Sequence, residues 1–193
     1  SCPEFPLIAL FKFAGPLLRG GELLGYEAKG NLPYDLDAGG TISFLFSPSW
    51  ETDRLTPGLN PHFFIWADKS GANALKIIAD SRDHGKLKAV IISNGITQML
   101  PSEIRPVKGG QYSLHFRFRK QTADLLINGM HMSSVGEVHL PKVSGLGDKF
   151  YIGSNPENED EAVFGTMSMF KVFTIWLDDD QIRQEVRDLT SKN

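Results

Sequence analysis

The densest cluster of chemically active side chains in this sequence is an acidic run that holds Glu157, Glu159, Asp160 and Glu161. Three of these acids, Glu157, Glu159 and Glu161, alternate along the chain, so on a β-strand they would lie on one face. A retaining glycosidase uses two carboxyl groups about 5 Å apart, one as the nucleophile and one as the acid/base. The spacing of the run suits that chemistry if the run is a strand.

The residues between the alternating acids argue against a catalytic strand. In a β-sandwich the second face of a strand is buried, and here that face would hold Asn158 and Asp160. An unpaired buried carboxylate is costly, and Pro156 just before the run disfavours a central strand. We therefore predict a loop at this place and assign no catalytic residue.

An acidic loop leaves two interpretations open. Calcium takes several oxygen ligands, and clustered carboxylates on a flexible loop supply them. Charged residues in a loop also keep the edge of a sheet from pairing with other chains, without binding anything. Calcium is the one cofactor that the sequence suggests, and a solvated loop without a ligand is the alternative.

Tryptophan side chains are candidates for binding a sugar, because ligand sites combine aromatic surfaces with a few polar groups that fix orientation. Trp50 begins the longest irregular stretch of the chain, residues 49–61. Trp66 lies in the segment HFFIWAD, where it shares a strand face with Phe64. We predict Trp50 and Trp66 as ligand-binding residues; a buried loop anchor is the alternative for Trp50, and a core position for Trp66.

Basic side chains alternate with apolar ones in the segment SLHFRFRK. The apolar set is predicted to face the core, which leaves His115, Arg117 and Arg119 together on the other face of the strand. Arginine can hold a carboxylate through two parallel hydrogen bonds, so this face suits an acidic sugar. We predict His115 and Arg117 as ligand-binding residues, with an ordinary solvated sheet face as the alternative.

The composition is that of an ordinary globular chain, with 193 residues, 22% of them charged, and a net charge of −3. This length suits one well-buried domain, so we predict a single domain over residues 1–193. The charge lacks the positive balance of most nucleic-acid-binding proteins, and no apolar run reaches the roughly 18 residues of a membrane span. Cys2 is the only cysteine, which excludes an internal disulfide, and no signal peptide is recognisable at Ser1.

Short apolar segments separated by Gly, Pro, Asn and Asp predict an all-β chain. Strands are predicted over residues 7–13, 22–29, 41–48, 62–68, 74–80, 86–93, 97–100, 112–118, 123–129, 149–154 and 166–176. Helices do not alternate with these strands, so we predict an antiparallel two-sheet β-sandwich. Near the C terminus, Asp178 as N-cap and an apolar stripe of Ile182, Val186 and Leu189 predict one short α-helix that ends near Thr190.

Three stretches, in chain order, resemble the concanavalin A-like jelly roll, and its laminin-G-like and pentraxin-like branches in particular. They are DAGGTISFLFSPSW (37–50), GGQYSLHFRFRKQTADLLINGM (109–130) and FYIGSNPENEDEAVFGTMSMFKVFTIWLDDDQI (150–182). The resemblance implies that fold for most of the chain. It does not decide the function, because the same fold hosts lectins, adhesion modules, glycosidases and lyases.

The resemblance to pentraxins also implies a place for calcium. Pentraxins carry a calcium-binding loop between the two strands that flank the acidic run here, and an Asp-Asn pair before an earlier strand. In this chain the pair is replaced by Ala72 and Asn73. The implied calcium ligands are Glu157, Glu159, Asp160 and Asn73, with one carboxylate lost at Ala72.

Together these features predict a non-catalytic recognition module. We expect it to bind a carbohydrate or glycoprotein, as lectins do, through a sheet-face or loop-rim site, and to act outside the cell, at the cell surface or in the periplasm. A protein-interaction or adhesion module without a small ligand is the first alternative, and a glycan-cleaving enzyme of the same fold is the second. No nucleic-acid partner is expected.

Overall fold

A computed structural model describes residues 8–13 and 23–191 as two antiparallel β-sheets and one α-helix. The strands in this part of the chain are β1 (Phe11–Phe13), β2 (Leu24–Glu27), β3 (Gly40–Pro48), β4 (His62–Ala67), β5 (Ala74–Asp80), β6 (Lys86–Ser93), β7 (Ile96–Leu100), β8 (Tyr112–Arg119), β9 (Gln121–Ile127), β10 (Met130–Val138), β11 (Lys149–Ile152) and β12 (Gly165–Phe173). The helix α1 spans Asp179–Ser191. The predicted all-β sandwich with a C-terminal helix is confirmed. Cys2 and the first residues of two predicted strands, Leu7 and Glu22, lie outside the described residues.

Among residues 8–13 and 23–191, each sheet has six strands, and all neighbouring strands are antiparallel. Sheet A has the order β1-β12-β3-β8-β9-β10, and sheet B has the order β2-β11-β4-β5-β6-β7. The pairing of β3 with β12 joins distant parts of the chain, since Pro48 lies opposite Gly165. This pairing brings the loop that follows β3 beside the loop that precedes β12.

Two asparagine–glycine pairs form tight hairpin turns. Asn94 and Gly95 have φ angles of 50° and 79°, and Asn128 and Gly129 have φ angles of 53° and 77°. Positive φ at both central positions is typical of the two-residue turn whose twist matches that of the flanking strands. The predicted turns between β6 and β7 and between β9 and β10 are therefore present.

The core lies between the two sheets and consists of the alternating apolar residues. Ile42, Phe44 and Phe46 of β3 are each at most 1% exposed, as their two-residue period predicted. Phe44 stacks on Phe63 of sheet B with 5.5 Å between ring centroids. The packing of aromatic rings across the sandwich fixes how the two sheets face each other.

The strand β10 differs from the prediction, which placed no strand over residues 130–138. It is an edge strand of sheet A, and within it only Val138 is buried. Register shifts between His131 and Ser133, and between Gly136 and Val138, interrupt its pairing with β9. An extra residue at such a bulge breaks the alternation of inward and outward side chains, so the sequence pattern did not reveal the strand.

The helix α1 lies on the outer face of sheet A. It begins at the predicted N-cap, where Gln181 N donates to Asp178 Oδ1 and Asp178 N donates to Gln181 Oε1, both at 2.8 Å. Ile182 packs with Leu126 and Phe173 in a small apolar cluster outside the main core. Within residues 8–13 and 23–191, α1 and the shorter helical turns fall short of the length and apolarity that a membrane crossing requires.

Candidate functional site

The predicted site residues lie in three separate places. The strand β4 begins at one end of the sandwich, which we call the acidic end and which includes residues 49–61 and 153–164. The strand finishes at the other end, which we call the opposite end and which includes residues 68–73 and 139–148. The pairing of β4 with β11 and β5 fixes this arrangement. Trp50, Glu157, Glu159 and Asp160 lie at the acidic end, Trp66 and Asn73 lie toward the opposite end, and His115 and Arg117 lie beneath α1.

Arg117 belongs to an ionic network beneath α1. Its Nε and Nη2 donate to Asp124 Oδ2 at 2.9 and 2.6 Å, and its Nη1 donates to the Leu177 carbonyl oxygen at 2.8 Å. Asp179 Oδ1 lies 2.9 Å from the same Nη1. The Arg117 side chain is 5% exposed, because the helix covers this face of β8. The expectation of a solvated or ligand-facing surface is corrected for this residue.

His115 is also covered by the helix. It is fully buried, and neither ring nitrogen has a hydrogen-bond partner among the described residues. Burial, together with the positive charges of Lys171 and Arg117, lowers the pKa of His115 to about 3. The imidazole is therefore neutral and enclosed. Arg119 remains exposed, with its guanidinium carbon 4.2 Å from the centre of the Trp176 ring.

Trp66 is a core residue in this structure. Its ring is 1% exposed, and its indole nitrogen donates to the Gly147 carbonyl oxygen at 2.7 Å. A buried indole usually finds such a partner. Trp66 has no ring face available for stacking against a sugar, so of its two predicted roles the structure favours the core position.

The acidic run is a loop, as predicted. Glu159–Glu161 form a single turn of 3-10 helix, and Asn158 caps it by accepting a hydrogen bond from Asp160 N. The alternating acids therefore do not share a strand face. Glu161 turns inward, where it accepts from Asn60 N at 2.7 Å and from Asn155 Nδ2 at 3.0 Å. One of the three alternating carboxylates is thus used to hold the loop against the sandwich.

The residues implied for calcium do not come together. The loop with Glu157, Glu159 and Asp160 is fixed beside the start of β4, whereas Asn73 bonds to Asp68 just after the end of that strand. At about 3.3 Å per residue, β4 separates the two groups by roughly 20 Å. Within residues 8–13 and 23–191, no three His, Cys, Asp or Glu side chains are grouped closely enough to hold a metal ion. The residues present therefore do not fit the calcium site that the resemblance implied.

Trp50 lines a groove of about 350 Å³ at the acidic end. Arg54, Asp160 and Phe164 line the same groove. The structure thus combines Trp50 and Asp160, which the sequence assigned to different kinds of site. Trp50 is half-buried and packs against Phe46, with 6.2 Å between their ring centroids.

Hydrogen bonds clamp the two loops of this groove together. Ser49 N donates to the Phe164 carbonyl oxygen at 3.1 Å, and Ser49 Oγ donates to the same oxygen. The indole nitrogen of Trp50 donates to the Val163 carbonyl oxygen. Residues 163 and 164 are therefore held from one side by the loop that follows β3.

Phe164 has an unfavourable backbone conformation at the place where these hydrogen bonds join the two loops. Its φ angle is 48°, a left-handed region that costs a residue with a Cβ atom about 1–2 kcal/mol. Its side chain is 43% exposed although it is a large apolar ring. The next residue, Gly165, leaves no room for a side chain, since a Cβ atom there would lie 2.5 Å from the Ser47 carbonyl oxygen.

The order and pairing of the strands define the class of fold. The chain has the concanavalin A-like jelly-roll fold, as the resemblance implied. Domains LG4-5 of the mouse laminin α1 chain match it with a TM-score of 0.61 at 13% identity, over 93% of this chain and 48% of that one. A heptameric SAP-like pentraxin from Limulus polyphemus matches with a TM-score of 0.60 at 16% identity, over 89% of this chain and 79% of that one.

A third similar structure contains a bound sugar. Domain 4 of an extracellular arabinanase from Geobacillus stearothermophilus, in complex with arabinotriose, matches with a TM-score of 0.61 at 14% identity, over 76% of this chain and 66% of that one. No protein-family model and no curated protein sequence matches this chain. At these identities the comparisons show the fold alone.

Sequence reasoning missed Phe164 and gave no role to Arg54. The sequence shows Phe164 as an aromatic residue between the acidic run and Gly165. Its exposure, however, depends on the hydrogen bonds that Ser49 and Trp50 donate to residues 163 and 164. Arg54 lies in the long loop four residues after Trp50, in the stretch Trp-Glu-Thr-Asp-Arg. A charged residue near an aromatic one in a long loop was the available signal.

Proposed function

We propose that this chain is a single-domain, non-catalytic recognition module that binds a carbohydrate in the groove lined by Trp50 and Phe164. The observation that carries the proposal is the exposed Phe164 ring on a strained backbone. Strained residues that several contacts hold in place are concentrated at binding sites. Stability alone would favour glycine at this φ angle and an apolar ring in the core.

The groove offers the chemistry that a sugar requires. The apolar surfaces of Phe164 and Trp50 can pack against the C–H face of a pyranose or furanose ring. Arg54 supplies hydrogen-bond donors and Asp160 supplies acceptors for hydroxyl groups. The arabinotriose complex of a structurally similar domain supports a sugar as the ligand, and the extracellular source of that domain supports a location outside the cell.

A glycan array with the wild-type chain is the first test. Binding of one class of glycan above background is expected, and titration calorimetry then gives its affinity. Phe164→Gly removes the ring and also the backbone strain, so it should abolish binding without lowering the melting temperature. Arg54→Ala should weaken binding by roughly tenfold, the effect of one charge-assisted hydrogen bond.

Two exposed residues outside the groove provide matched controls. Tyr34→Ala removes a different exposed ring, since Tyr34 is 90% exposed. Arg187→Ala removes an exposed arginine that lies in α1 and not in the groove. Both variants should bind the glycan as the wild type does. Unchanged binding by Phe164→Gly, or an array without any signal above background, would contradict the proposal.

A further inference from the structure

A second cavity lies at the opposite end of the sandwich. Its volume is about 530 Å³, larger than that of the Trp50 groove. Polar side chains from three separate segments line it, namely Asn73, Ser93, Asn94, His139, Lys142 and Ser144. The volume is that of a small-molecule site, and the polar side chains are groups that can fix the orientation of a ligand.

The first wall of this cavity is fixed by the turn between β6 and β7. Asn94 N donates to Asn73 Oδ1 at 3.0 Å, and Gly95 N donates to the Ala72 carbonyl oxygen at 2.8 Å. The turn is therefore tied to the loop that precedes β5. Asn73 also donates one hydrogen of its Nδ2 to Asp68, and an amide nitrogen carries a second hydrogen that can serve a ligand.

The second wall is fixed by a reciprocal pair of hydrogen bonds. Gln98 Nε2 donates to the His139 carbonyl oxygen, and His139 N donates to Gln98 Oε1, both at 2.8 Å. The segment that carries His139, Lys142 and Ser144 is thus tied to β7. A ligand would meet walls that are already in place, which lowers the entropic cost of binding.

The charge of the cavity has one sign. Lys142 contributes an ammonium group, and no Asp or Glu is among the described residues that line the cavity. The nearby carboxylate of Asp68 is engaged by Asn73 N at 3.3 Å and by Ser70 Oγ at 3.1 Å. Ser93, Ser144 and Asn73 line the same cavity, and their hydroxyl and amide groups can hydrogen-bond to the hydroxyls of a ligand.

We propose that this cavity binds a small polyhydroxylated ligand that carries an oxyanion, that is, a carboxylate, a sulfate ester or a phosphate ester. The ammonium group of Lys142 binds the oxyanion, and the side chains of Ser93, Ser144 and Asn73 hydrogen-bond to the hydroxyl groups of the ligand. The site goes beyond the proposed function because it lies at the other end of β4 from the Trp50 groove. A chain with both sites can hold two ligands at once, roughly 20 Å apart along the strand.

Titration calorimetry at low ionic strength with four matched ligands tests this proposal. Glucuronate, glucose 6-sulfate and glucose 6-phosphate share one polyol and differ in the oxyanion, and glucose lacks it. At least one charged ligand should bind about tenfold or more tightly than glucose, and added salt should weaken that binding. The charged ligand that binds best identifies the type of oxyanion.

Two lysine variants locate the site. Lys142→Ala should lower the affinity for the charged ligand about tenfold, whereas Lys108→Ala, which removes another exposed lysine, should leave it unchanged. Phe164→Gly should also leave it unchanged, so failure of the Trp50 groove and failure of this cavity can be told apart. Equal binding of glucose, an unaffected Lys142→Ala variant, or no heat from any ligand at millimolar concentration overturns the proposal.

Discussion

The ammonium nitrogen of Lys171 lies 3.2 Å from Glu185 Oε2, and both side chains are buried between sheet A and α1. Ser43 Oγ donates to the other carboxylate oxygen at 3.1 Å. Together with Ser43, the pair therefore connects β12, β3 and the helix in a buried region. A buried carboxylate depends on its cation, because burial removes the hydration that would otherwise stabilise the charge.

Lys171→Met should lower the free energy of unfolding by about 3–5 kcal/mol, since it leaves Glu185 buried and unpaired. Urea unfolding measures the loss. The double variant Lys171→Met/Glu185→Leu should recover most of it, because an apolar pair needs no compensation. Arg183→Met, which breaks the exposed pair of Arg183 with Asp180, serves as the control and should change stability little. A Lys171→Met variant as stable as this control would contradict the prediction.

The buried His115 should make the fold sensitive to mild acid. Burial, with the charges of Lys171 and Arg117, lowers its pKa to about 3, whereas an unfolded histidine has a pKa of about 6.5. Between these values the unfolded state binds a proton that the folded state does not bind. The free energy of unfolding is therefore highest above about pH 6.5 and decreases as the pH falls below that value. The folding equilibrium constant falls by up to about tenfold per pH unit.

The variant His115→Leu should lose less free energy of unfolding than the wild type when the pH falls from about 7 to about 5, as measured by urea unfolding. It should also be more stable at the lower pH, because it removes two buried nitrogens without partners. Part of the slope remains through His62, whose pKa is also lowered by burial. His84→Asn, at an exposed position, should keep the wild-type slope, and an equal slope for His115→Leu would contradict the assignment.

The strain at Phe164 can be measured with a pair of variants. Phe164→Ala keeps a Cβ atom at a φ angle of 48°, and Phe164→Gly does not. Glycine should therefore be the more stable of the two by about 1 kcal/mol. At Thr166, an exposed residue of β12 outside the positive-φ set, alanine should be the more stable variant. The same order at both positions would show that Phe164 carries no strain.

Calcium should leave the melting temperature unchanged, and EDTA should not lower it. The reason is the distance of roughly 20 Å along β4 between the acidic loop and Asn73. A ligand that binds only the native state must raise the melting temperature, so thermal unfolding with and without Ca²⁺ is a direct measurement. If Ca²⁺ raises it and Asp160→Asn cancels the rise, the acidic loop binds the ion without Asn73.

The fold could be predicted because its signals are local. Alternation over Ile42, Phe44 and Phe46 identifies a strand with one face in the core, and Asn94–Gly95 identifies a hairpin without reference to the rest of the chain. The cap at Asp178 works in the same way. By contrast, β10 escaped prediction because its two bulges break the local period.

The candidate site could be predicted only in part, because exposure depends on contacts between distant segments. The polar face of β8 looked open, but α1 covers His115 and Arg117. Trp50 and Asp160 were selected for separate reasons, and their shared groove follows from the pairing of β3 with β12. The exposure of Phe164 arises from bonds to Ser49, a residue on the other side of that pairing.

The network around Arg117 sets a limit on how this protein can be cut or joined to others. Arg117 connects β8 to Asp124 of β9, to the Leu177 carbonyl oxygen and to Asp179 of α1. Removal of the residues after Leu177 would deprive Arg117 of the Asp179 carboxylate, one of its two. It would also expose Lys171 and His115, which α1 covers. A fusion or an insertion should therefore leave Leu177 and α1 intact, and a shortened chain that ends before α1 should fail to accumulate in soluble form.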